Sequence, residues 1–194
     1  DIPKASMLVN IGGGSITAIV ISISGIVAIA SERVGGKYID SSITRYLRDK
    51  HNFVIGDQTA EWIKTNFGQA LKIKRDSVFK VRGQDIEQGI PLAMSINTAE
   101  IREAISKPVE RMIKVIRDLL EKVPPELSAD LVDRGMVLTG GCAFLMGFDK
   151  LITERTGIKV TIAHNAKTAT VEGAGRILDN LNMYKKFFIE EVEI

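Results

Sequence analysis

The sequence predicts an α/β fold. Short runs rich in β-branched residues are typical of strands, whereas other segments carry apolar residues three and four apart, as amphipathic helices do. The two kinds alternate along most of the chain, with no internal repeat. The 194 residues are 45% hydrophobic and 26% charged, which is the composition of a globular chain with enough apolar side chains for a core. At about 150 residues per domain, this length suits one large domain or two small ones.

Composition excludes several classes of protein. The net charge of +2, from 26 basic and 24 acidic residues, is too even to predict binding to nucleic acid. The single cysteine, Cys142, rules out an internal disulfide framework and suits a reducing compartment. With only two histidines, His51 and His164, we expect surface residues rather than a zinc site. The apolar stretch 16–30 is shorter than the roughly 18 residues of a spanning helix, so we expect two buried strands there.

The first half of the chain predicts a three-stranded meander followed by a mixed region. The predicted strands are 7–11, 16–24 and 26–34, joined by glycine turns at 12–14 and 24–25. A helix over 39–50 and a second over 60–71, capped by Thr59, come next. Two further strands, 78–82 and 92–96, are expected to bracket a polar turn at 83–85.

The second half predicts helices between short strands. Asn97 and Glu100 resemble a capping box at the start of one helix. Pro108 then suits the first turn of a second helix, and Pro124 with Pro125 ends it. The remaining predicted elements are a strand over 136–139, a helix over 144–156 that ends at Gly157, a strand over 159–163 and a helix over 168–181.

The first of two glycine sites follows the first strand and has the sequence Asn10-Ile11-Gly12-Gly13-Gly14-Ser15. Three consecutive glycines allow the backbone to approach an anion with several N–H donors. The loop opens a strand rather than a helix, which argues against a dinucleotide-binding motif, and no Gly-Lys-Ser/Thr follows as in a P-loop. A phosphate loop at a hairpin tip and a plain structural turn both remain open.

The second glycine site, Gly140-Gly141 between a predicted strand and a helix, could likewise approach a ligand or simply end the strand. On the predicted helix 60–71, Glu61 and Lys64 are three residues apart and share a face. From spacing alone, a solvated ion pair is the simpler interpretation of those two residues.

Seven segments together resemble the MreB family of bacterial actin-like proteins, over residues 7–180 and in the order of that family's second half. They read NIGGGS, VGGKYIDSSI, TAEWIK, VRGQDIEQGIP, EIREAI, KVPPELSADLVDRGMVLTGG and TATVEGAG. The resemblance implies an actin-like ATPase domain of the ribonuclease H-like class, with a mixed central sheet flanked by helices. An inner subdomain would comprise 1–34 and 98–181, a smaller α/β subdomain 35–97 would be inserted into it, and 182–194 would form a tail.

The family's function follows as an expectation. The parent protein would bind ATP or ADP with Mg²⁺ between two domains and assemble with itself into filaments that govern cell shape. These would lie in the cytoplasm at the inner membrane surface, beside membrane-anchored cell-shape proteins. The resemblance also implies that this chain is the second of two domains, that the first would supply the other phosphate loop, and that the chain alone binds nucleotide weakly.

The resemblance also implies which residues of these motifs form the nucleotide site. Gly12, Gly13 and Gly14, with Ser15, match the family's second phosphate loop. In TAEWIK, Glu61 and Lys64 match ribose and adenine contacts, and Trp62 and Ile63 lie between them. The second nucleotide loop would comprise Gly140, Gly141, Cys142 and Ala143, with Phe144 beside the adenine.

Two positions depart from the family's pattern. Asn10 stands where the family usually has an aspartate that helps to hold Mg²⁺ through water. A neutral amide is a poorer ligand for a hard cation and cannot act as a base. We therefore expect weak coupling to Mg²⁺ and slow or absent hydrolysis, and we assign neither a catalytic residue nor a direct metal ligand. Cys142 replaces a third glycine.

Three hypotheses remain open at this point. A filament-forming protein is the first, and a sugar kinase, acid kinase or chaperone-type ATPase of the same superfamily is the second. A nucleotide-free scaffold that keeps the fold is the third. The apolar segment 183–189 is expected to be a helix docked on the domain, with a membrane or partner contact as the alternative.

Overall fold

The computed structural model describes residues 5–23 and 25–185 and shows an α/β architecture. The strands are β1 Ser6–Ile11, β2 Ile16–Ser22, β3 Gly25–Glu32, β4 Phe53–Val54, β5 Val78–Asp85, β6 Pro91–Asn97, β7 Met136–Thr139 and β8 Val160–Ile162. The helices are α1 Gly36–His51, α2 Asp57–Phe67, α3 Thr98–Leu120, α4 Pro125–Arg134, α5 Phe148–Thr156, α6 Ala169–Asp179 and α7 Leu181–Tyr184, with a 3₁₀-helix at Gly141–Phe144.

A mixed five-stranded sheet holds the first glycine turn. Its strand order is β3-β2-β1-β7-β8, in which β1, β2 and β3 are antiparallel and β7 and β8 run parallel to β1. The predicted meander is therefore confirmed, and so is the assignment of the apolar stretch 16–30 to strands. The expectation that both strands are buried is wrong for β3, in which every residue is half-buried or exposed, because β3 is the edge strand of the sheet. Ser24, in the predicted 24–25 turn, lies outside the described residues. Because β1 and β7 are parallel neighbours, the two glycine sites that follow them emerge at the same edge of the sheet.

A second sheet, of order β4-β5-β6, is antiparallel throughout. The predicted turn at 83–85 is wrong, because β5 continues to Asp85 and Gly83 pairs with Leu92. Gly83 also lies against β4, where an added Cβ would come within 2.3 Å of the Val54 carbonyl oxygen. The chain reverses after Asp85, whose carboxylate accepts hydrogen bonds from the Glu87 and Gln88 amides.

Helix α3 covers the stretch for which two helices were predicted. The capping box is confirmed, since the Asn97 side chain accepts from the Ala99 amide and Glu100 accepts from the Asn97 amide. The second start at Pro108 is wrong, because Pro108 lies inside one continuous helix. An interior proline costs about 3 kcal/mol, but each large apolar side chain that the helix buries contributes about 1.5–3 kcal/mol. The buried residues are Thr98, Ile101, Ile105, Pro108, Val109, Met112, Ile113, Val115, Ile116 and Leu119.

Helix boundaries near the site also differ from the prediction. Helix α2 begins after Gly56 rather than at Thr59 and ends at Phe67 rather than residue 71. The helix expected over 144–156 is divided into the 3₁₀-helix and α5, because Gly147 adopts a φ of 75° between them. A Cβ there would lie 2.7 Å from the Ile73 side chain. Short elements β4 and α4 were not predicted.

The core lies between the five-stranded sheet and α3, and continues to α1. Helix α3 contacts β2, β3 and α1, and fully buried side chains such as Val9, Ile16, Ile43 and Ile105 fill these contacts. Across residues 5–23 and 25–185, no helix has both the length and the hydropathy that crossing a bilayer requires. The predicted tail segment 183–189 reaches beyond α7, and residues 186–194 lie outside the described residues.

Candidate functional site

A cleft of about 420 Å³ opens where the two glycine sites meet α1 and α2. Both glycine sites contribute backbone, while α2 contributes charged and polar side chains. The lining residues are Gly12, Gly13, Gly36, Ile39, Glu61, Lys64, Thr65, Gly141, Cys142, Phe144, Leu145 and Lys167. The cleft therefore brings together segments that are more than 100 residues apart in the sequence.

The first glycine turn packs against the N-terminus of α1. The Gly36 amide donates to the Gly12 carbonyl at 3.0 Å, and the Lys37 amide donates to the Gly13 carbonyl at 2.8 Å. These carbonyls satisfy N–H groups that the helix leaves free at its start, where Gly35 provides no side-chain cap. The approach requires a glycine at position 35, because a Cβ there would lie 2.7 Å from both carbonyl oxygens.

This arrangement leaves the amides of the turn open. Within the described residues, the Gly13 and Gly14 amides donate to no protein acceptor. A Cβ added to either glycine would meet nothing within 4 Å, so the space above this backbone is empty. Unpaired N–H groups next to open space are the geometry by which a glycine turn holds an anion. The turn therefore has two free amides that could bind an anion.

The second glycine turn is fastened to the first. Gly140 adopts φ 86° and ψ 169°, and its amide donates to the Ala166 carbonyl at 2.8 Å. The Cys142 thiol lies 3.6 Å from the Gly12 carbonyl oxygen, to which it donates. Burial raises the pKa of Cys142 to about 11, so at neutral pH this residue is a protonated thiol that packs rather than a nucleophile.

Helix α2 brings a buried ion pair to the cleft. The Lys64 ammonium lies 2.8 Å from the Asp40 carboxylate on α1 and 3.4 Å from the Gly36 carbonyl. Lys64 therefore pairs with Asp40 rather than with Glu61, which is exposed. Burial raises the pKa of Asp40, and the hydrogen bond from Lys64 offsets part of that rise. Sequence reasoning missed Asp40, although it stands one helical turn after Gly36 in VGGKYIDSSI.

Seven of the residues selected from sequence line the cleft: Gly12, Gly13, Glu61, Lys64, Gly141, Cys142 and Phe144. The other six selected for the site, Gly14, Ser15, Trp62, Ile63, Gly140 and Ala143, are not among the lining residues. Ile63 is fully buried in the core, and Trp62 makes edge contacts with Phe67 and Phe79. Five lining residues were not selected: Gly36, Ile39, Thr65, Leu145 and Lys167.

An aromatic ring stands at the mouth of the cleft. Phe144 is 54% exposed, and the Lys167 ammonium lies 5.5 Å from the centre of its ring. Lys167 follows β8, so its position depends on the parallel pairing of β7 with β8 and could not be read from local sequence. An exposed ring beside a cation offers a flat surface on which a base can stack.

Asn10, the penultimate residue of β1, lies beside the second glycine turn. Its side-chain oxygen accepts a hydrogen bond from the Thr139 hydroxyl at 3.1 Å, and the two residues face each other across the parallel β1–β7 pair. Among residues 5–23 and 25–185, no group of three His, Cys, Asp or Glu side chains is arranged to hold a metal ion.

Comparison with known proteins decides the family. A family model described as MreB/Mbl protein matches residues 1–186. The chain belongs to the MreB/Mbl family. It is 39% identical over 179 residues to the cell shape-determining protein MreB of Escherichia coli K12, covering 92% of this chain and 52% of that protein. It is 35% identical to the cell shape-determining protein Mbl of Bacillus subtilis, covering 95% and 55%. The chain thus spans about half the length of these MreB/Mbl relatives.

Solved structures confirm the actin-like fold. MreB5 of Spiroplasma citri bound to AMPPNP superposes with a TM-score of 0.88 at 28% identity, over 95% of this chain and 56% of that one. The same values apply to MreB5 bound to ADP. A MamK double helical filament superposes with a TM-score of 0.71 at 19% identity, over 90% of this chain and 54% of that one, which bears on fold alone.

Proposed function

We propose that this MreB/Mbl chain forms one side of a site for ATP or ADP, in an actin-like cytoskeletal protein that polymerises into filaments governing bacterial cell shape. The observation that carries the proposal is the open backbone of Gly13 and Gly14, whose amides donate to no protein acceptor and whose Cα atoms lie next to empty space. The relatives in this family are cell shape-determining proteins, and MreB5 of S. citri binds AMPPNP and ADP, which supports the same ligand class here.

Each group around the cleft suits one part of a nucleotide. The amides of Gly13 and Gly14 suit phosphate oxygens, because backbone donors bind anions without the cost of ordering a side chain. The exposed Glu61 carboxylate suits ribose hydroxyls as a hydrogen-bond acceptor. The ring of Phe144 suits the base. The ammonium of Lys64 adds positive charge on the cleft floor.

We expect this site to couple weakly to Mg²⁺ and to hydrolyse ATP slowly or not at all. Mg²⁺ supplied with a nucleotide neutralises phosphate charge, and a carboxylate near it would hold its water ligands. Asn10 presents only a neutral oxygen, which is already an acceptor for Thr139. We therefore propose nucleotide binding with little ATPase activity.

The division into an inner subdomain, 1–34 and 98–181, and an inserted subdomain, 35–97, is part of the proposal. Support comes from the two sheets, since every strand of the five-stranded sheet falls in the first segment pair and every strand of the other falls in 35–97. Filaments of the parent protein would lie in the cytoplasm at the inner membrane surface, with other copies and membrane-anchored cell-shape proteins as partners.

The test is nucleotide binding by calorimetry and filament formation by electron microscopy, both with the full-length protein. Gly13→Val would place a side chain in the open space above the turn, so we expect a loss of ATP affinity of tenfold or more. Gly173→Val in α6 is the matched control, because that glycine also has open space around it but is not a lining residue.

Two outcomes would contradict the proposal. Absence of measurable ATP and ADP binding, with filaments still formed, would support the nucleotide-free scaffold instead. A protein that binds nucleotide and remains monomeric at high concentration would support a kinase or chaperone-type ATPase instead.

A further inference from the structure

Asp40 and Lys64 form an ion pair under the cleft that the proposed contacts with nucleotide do not explain. Asp40 lies on α1 and Lys64 on α2, and their charged groups are 2.8 Å apart with side chains only 15% and 13% exposed. Lys64 lines the cleft, whereas Asp40 does not. The carboxylate therefore reaches the cleft only through the ammonium it holds.

The ammonium sits at a junction of three segments. On one side is the first turn of α1, where the Gly36 carbonyl lies 3.4 Å from the ammonium. On the other side is Cys142 of the second glycine turn. The space between them exists because residue 36 is glycine: a Cβ there would lie 3.2 Å from both the Lys64 nitrogen and the Cys142 sulfur. Lys64 is thus wedged where α1, α2 and the second turn meet.

Stability alone does not account for this pair. Removing two charges from water costs several kcal/mol, and a buried pair regains this only when its remaining hydrogen-bonding atoms are also satisfied. The second carboxylate oxygen of Asp40, Oδ1, is buried and has no hydrogen-bond partner. The nearby carboxylates of Glu61 and Asp57 add repulsion that raises the pKa of Asp40 further. The Asp40 carboxylate thus makes one strong hydrogen bond, and its partner is Lys64, which lines the cleft. This is the geometry of a residue that positions another side chain.

We propose that Asp40 is a positioning residue for the nucleotide site: it holds the Lys64 ammonium between the first turn of α1 and Cys142, so that this charge faces the ligand. The inference rests on the proposed function, since it concerns the same cleft. Without the carboxylate, the buried ammonium has no anionic partner and turns towards solvent and the exposed Glu61, which leaves the cleft floor without its charge.

A double-mutant cycle tests the role, with ATP affinity measured by calorimetry on the full-length protein. Asp40→Asn and Lys64→Met should each weaken ATP binding by about tenfold, or about 1.4 kcal/mol, because each removes the positioned charge that faces the ligand. The double variant should bind within about twofold of Lys64→Met, because Asp40 acts only through Lys64.

Asp76→Asn is the matched control for general damage. Asp76 also holds a half-buried cation, Arg102, at 2.8 Å, but neither residue lines the cleft. This variant should lower the melting temperature and leave ATP affinity within twofold of wild type. If Asp40→Asn itself does not fold, the comparison of Lys64→Met with the double variant still tests whether Asp40 acts on the ligand independently of Lys64, because the double variant contains no unpaired ammonium.

Two results would overturn the positioning role. Losses that multiply to about a hundredfold in the double variant would show that Asp40 acts independently of Lys64. Wild-type affinity in a folded Asp40→Asn would show that the Asp40 carboxylate is not needed to position Lys64 for the ligand. Failure of the proposed function looks different, because then wild type itself binds neither ATP nor ADP and Gly13→Val changes nothing.

Discussion

Gly140 is the position where one methyl group should do most damage to the fold at the site. Its φ of 86° and ψ of 169° lie in a region of backbone conformation that is essentially restricted to glycine. A Cβ at this position would lie 2.2 Å from the Ile11 carbonyl oxygen and 2.9 Å from the Asn10 side-chain oxygen. Gly140→Ala therefore forces β1 and the second turn apart. A rotamer change could move the Asn10 oxygen, but the Ile11 oxygen belongs to the backbone of β1, so a rotamer change cannot relieve the whole clash.

The expected cost follows from two contributions. A non-glycine residue in this conformation costs about 1–3 kcal/mol, and inserting a methyl group into closely packed structure costs about 1–3 kcal/mol more. The sum, about 2–6 kcal/mol, is a large share of the 5–15 kcal/mol by which domains are stable. At about 2–4 °C per kcal/mol for a chain of this size, the melting temperature should fall by roughly 5–20 °C.

Thermal unfolding followed by circular dichroism measures this effect, and the neighbouring residue provides the control. Gly141 has no positive φ, and a Cβ there would meet nothing within 4 Å. Gly141→Ala should therefore change stability by no more than about 0.5 kcal/mol, or about 2 °C. If Gly140→Ala melts within 2 °C of wild type, or if the two variants are equally destabilised, the structural assignment of the second turn is wrong.

Three further predictions concern chemistry and packing. Asn10→Asp keeps the oxygen that accepts from Thr139 and adds a carboxylate that would hold the water ligands of Mg²⁺ bound with the proposed nucleotide. Phosphate release by the full-length protein should therefore rise by about tenfold or more, and an unchanged rate would show that Asn10 does not limit hydrolysis. Burial raises the pKa of Cys142 from 9.0 to about 11, so its stabilisation is complete below pH 9 and disappears as the pH rises to 11. Wild type should consequently lose melting temperature faster than Cys142→Ala over that interval, and parallel curves would contradict this. Phe148→Ala should cost about 3–5 kcal/mol in urea unfolding because the ring is fully buried, whereas Phe144→Ala, with a 54% exposed ring, should change ATP affinity and hardly stability.

Local sequence was sufficient where the structure depends on near neighbours. The capping box at Asn97 and Glu100 involves groups three residues apart, so its pattern predicts its hydrogen bonds. The meander was predictable for the same reason, because its strands are joined by short glycine turns. Local reasoning failed at Pro108, where the burial of a long apolar face outweighs the preference of proline for a first turn.

The same distinction between local and distant contacts applies to the candidate site. Glycine-rich turns are visible in sequence, but which amides stay free depends on the carbonyls of Gly12 and Gly13 turning towards α1. Asp40 was missed because its partner is 24 residues away on another helix, and spacing alone favoured Glu61 as the partner of Lys64. Lys167 reaches Phe144 only through the strand pairing that brings β8 beside β7.

Helix α1 explains why the cleft lies where the two glycine turns meet α1 and α2. The N–H groups of Gly36 and Lys37, at the start of α1, donate to the Gly12 and Gly13 carbonyls of the first glycine turn. Because the N–H of a trans peptide points opposite to its C=O, the amides of the same peptides point away from α1, towards the open space. One turn further along, Asp40 holds the only α2 ammonium that lines the cleft. A ligand that moves either the first glycine turn or Lys64 therefore acts on the first turn of α1. Because α1 also packs against α2 and α3, a shift of that turn would be transmitted both to α2 and to α3, which contacts the five-stranded sheet.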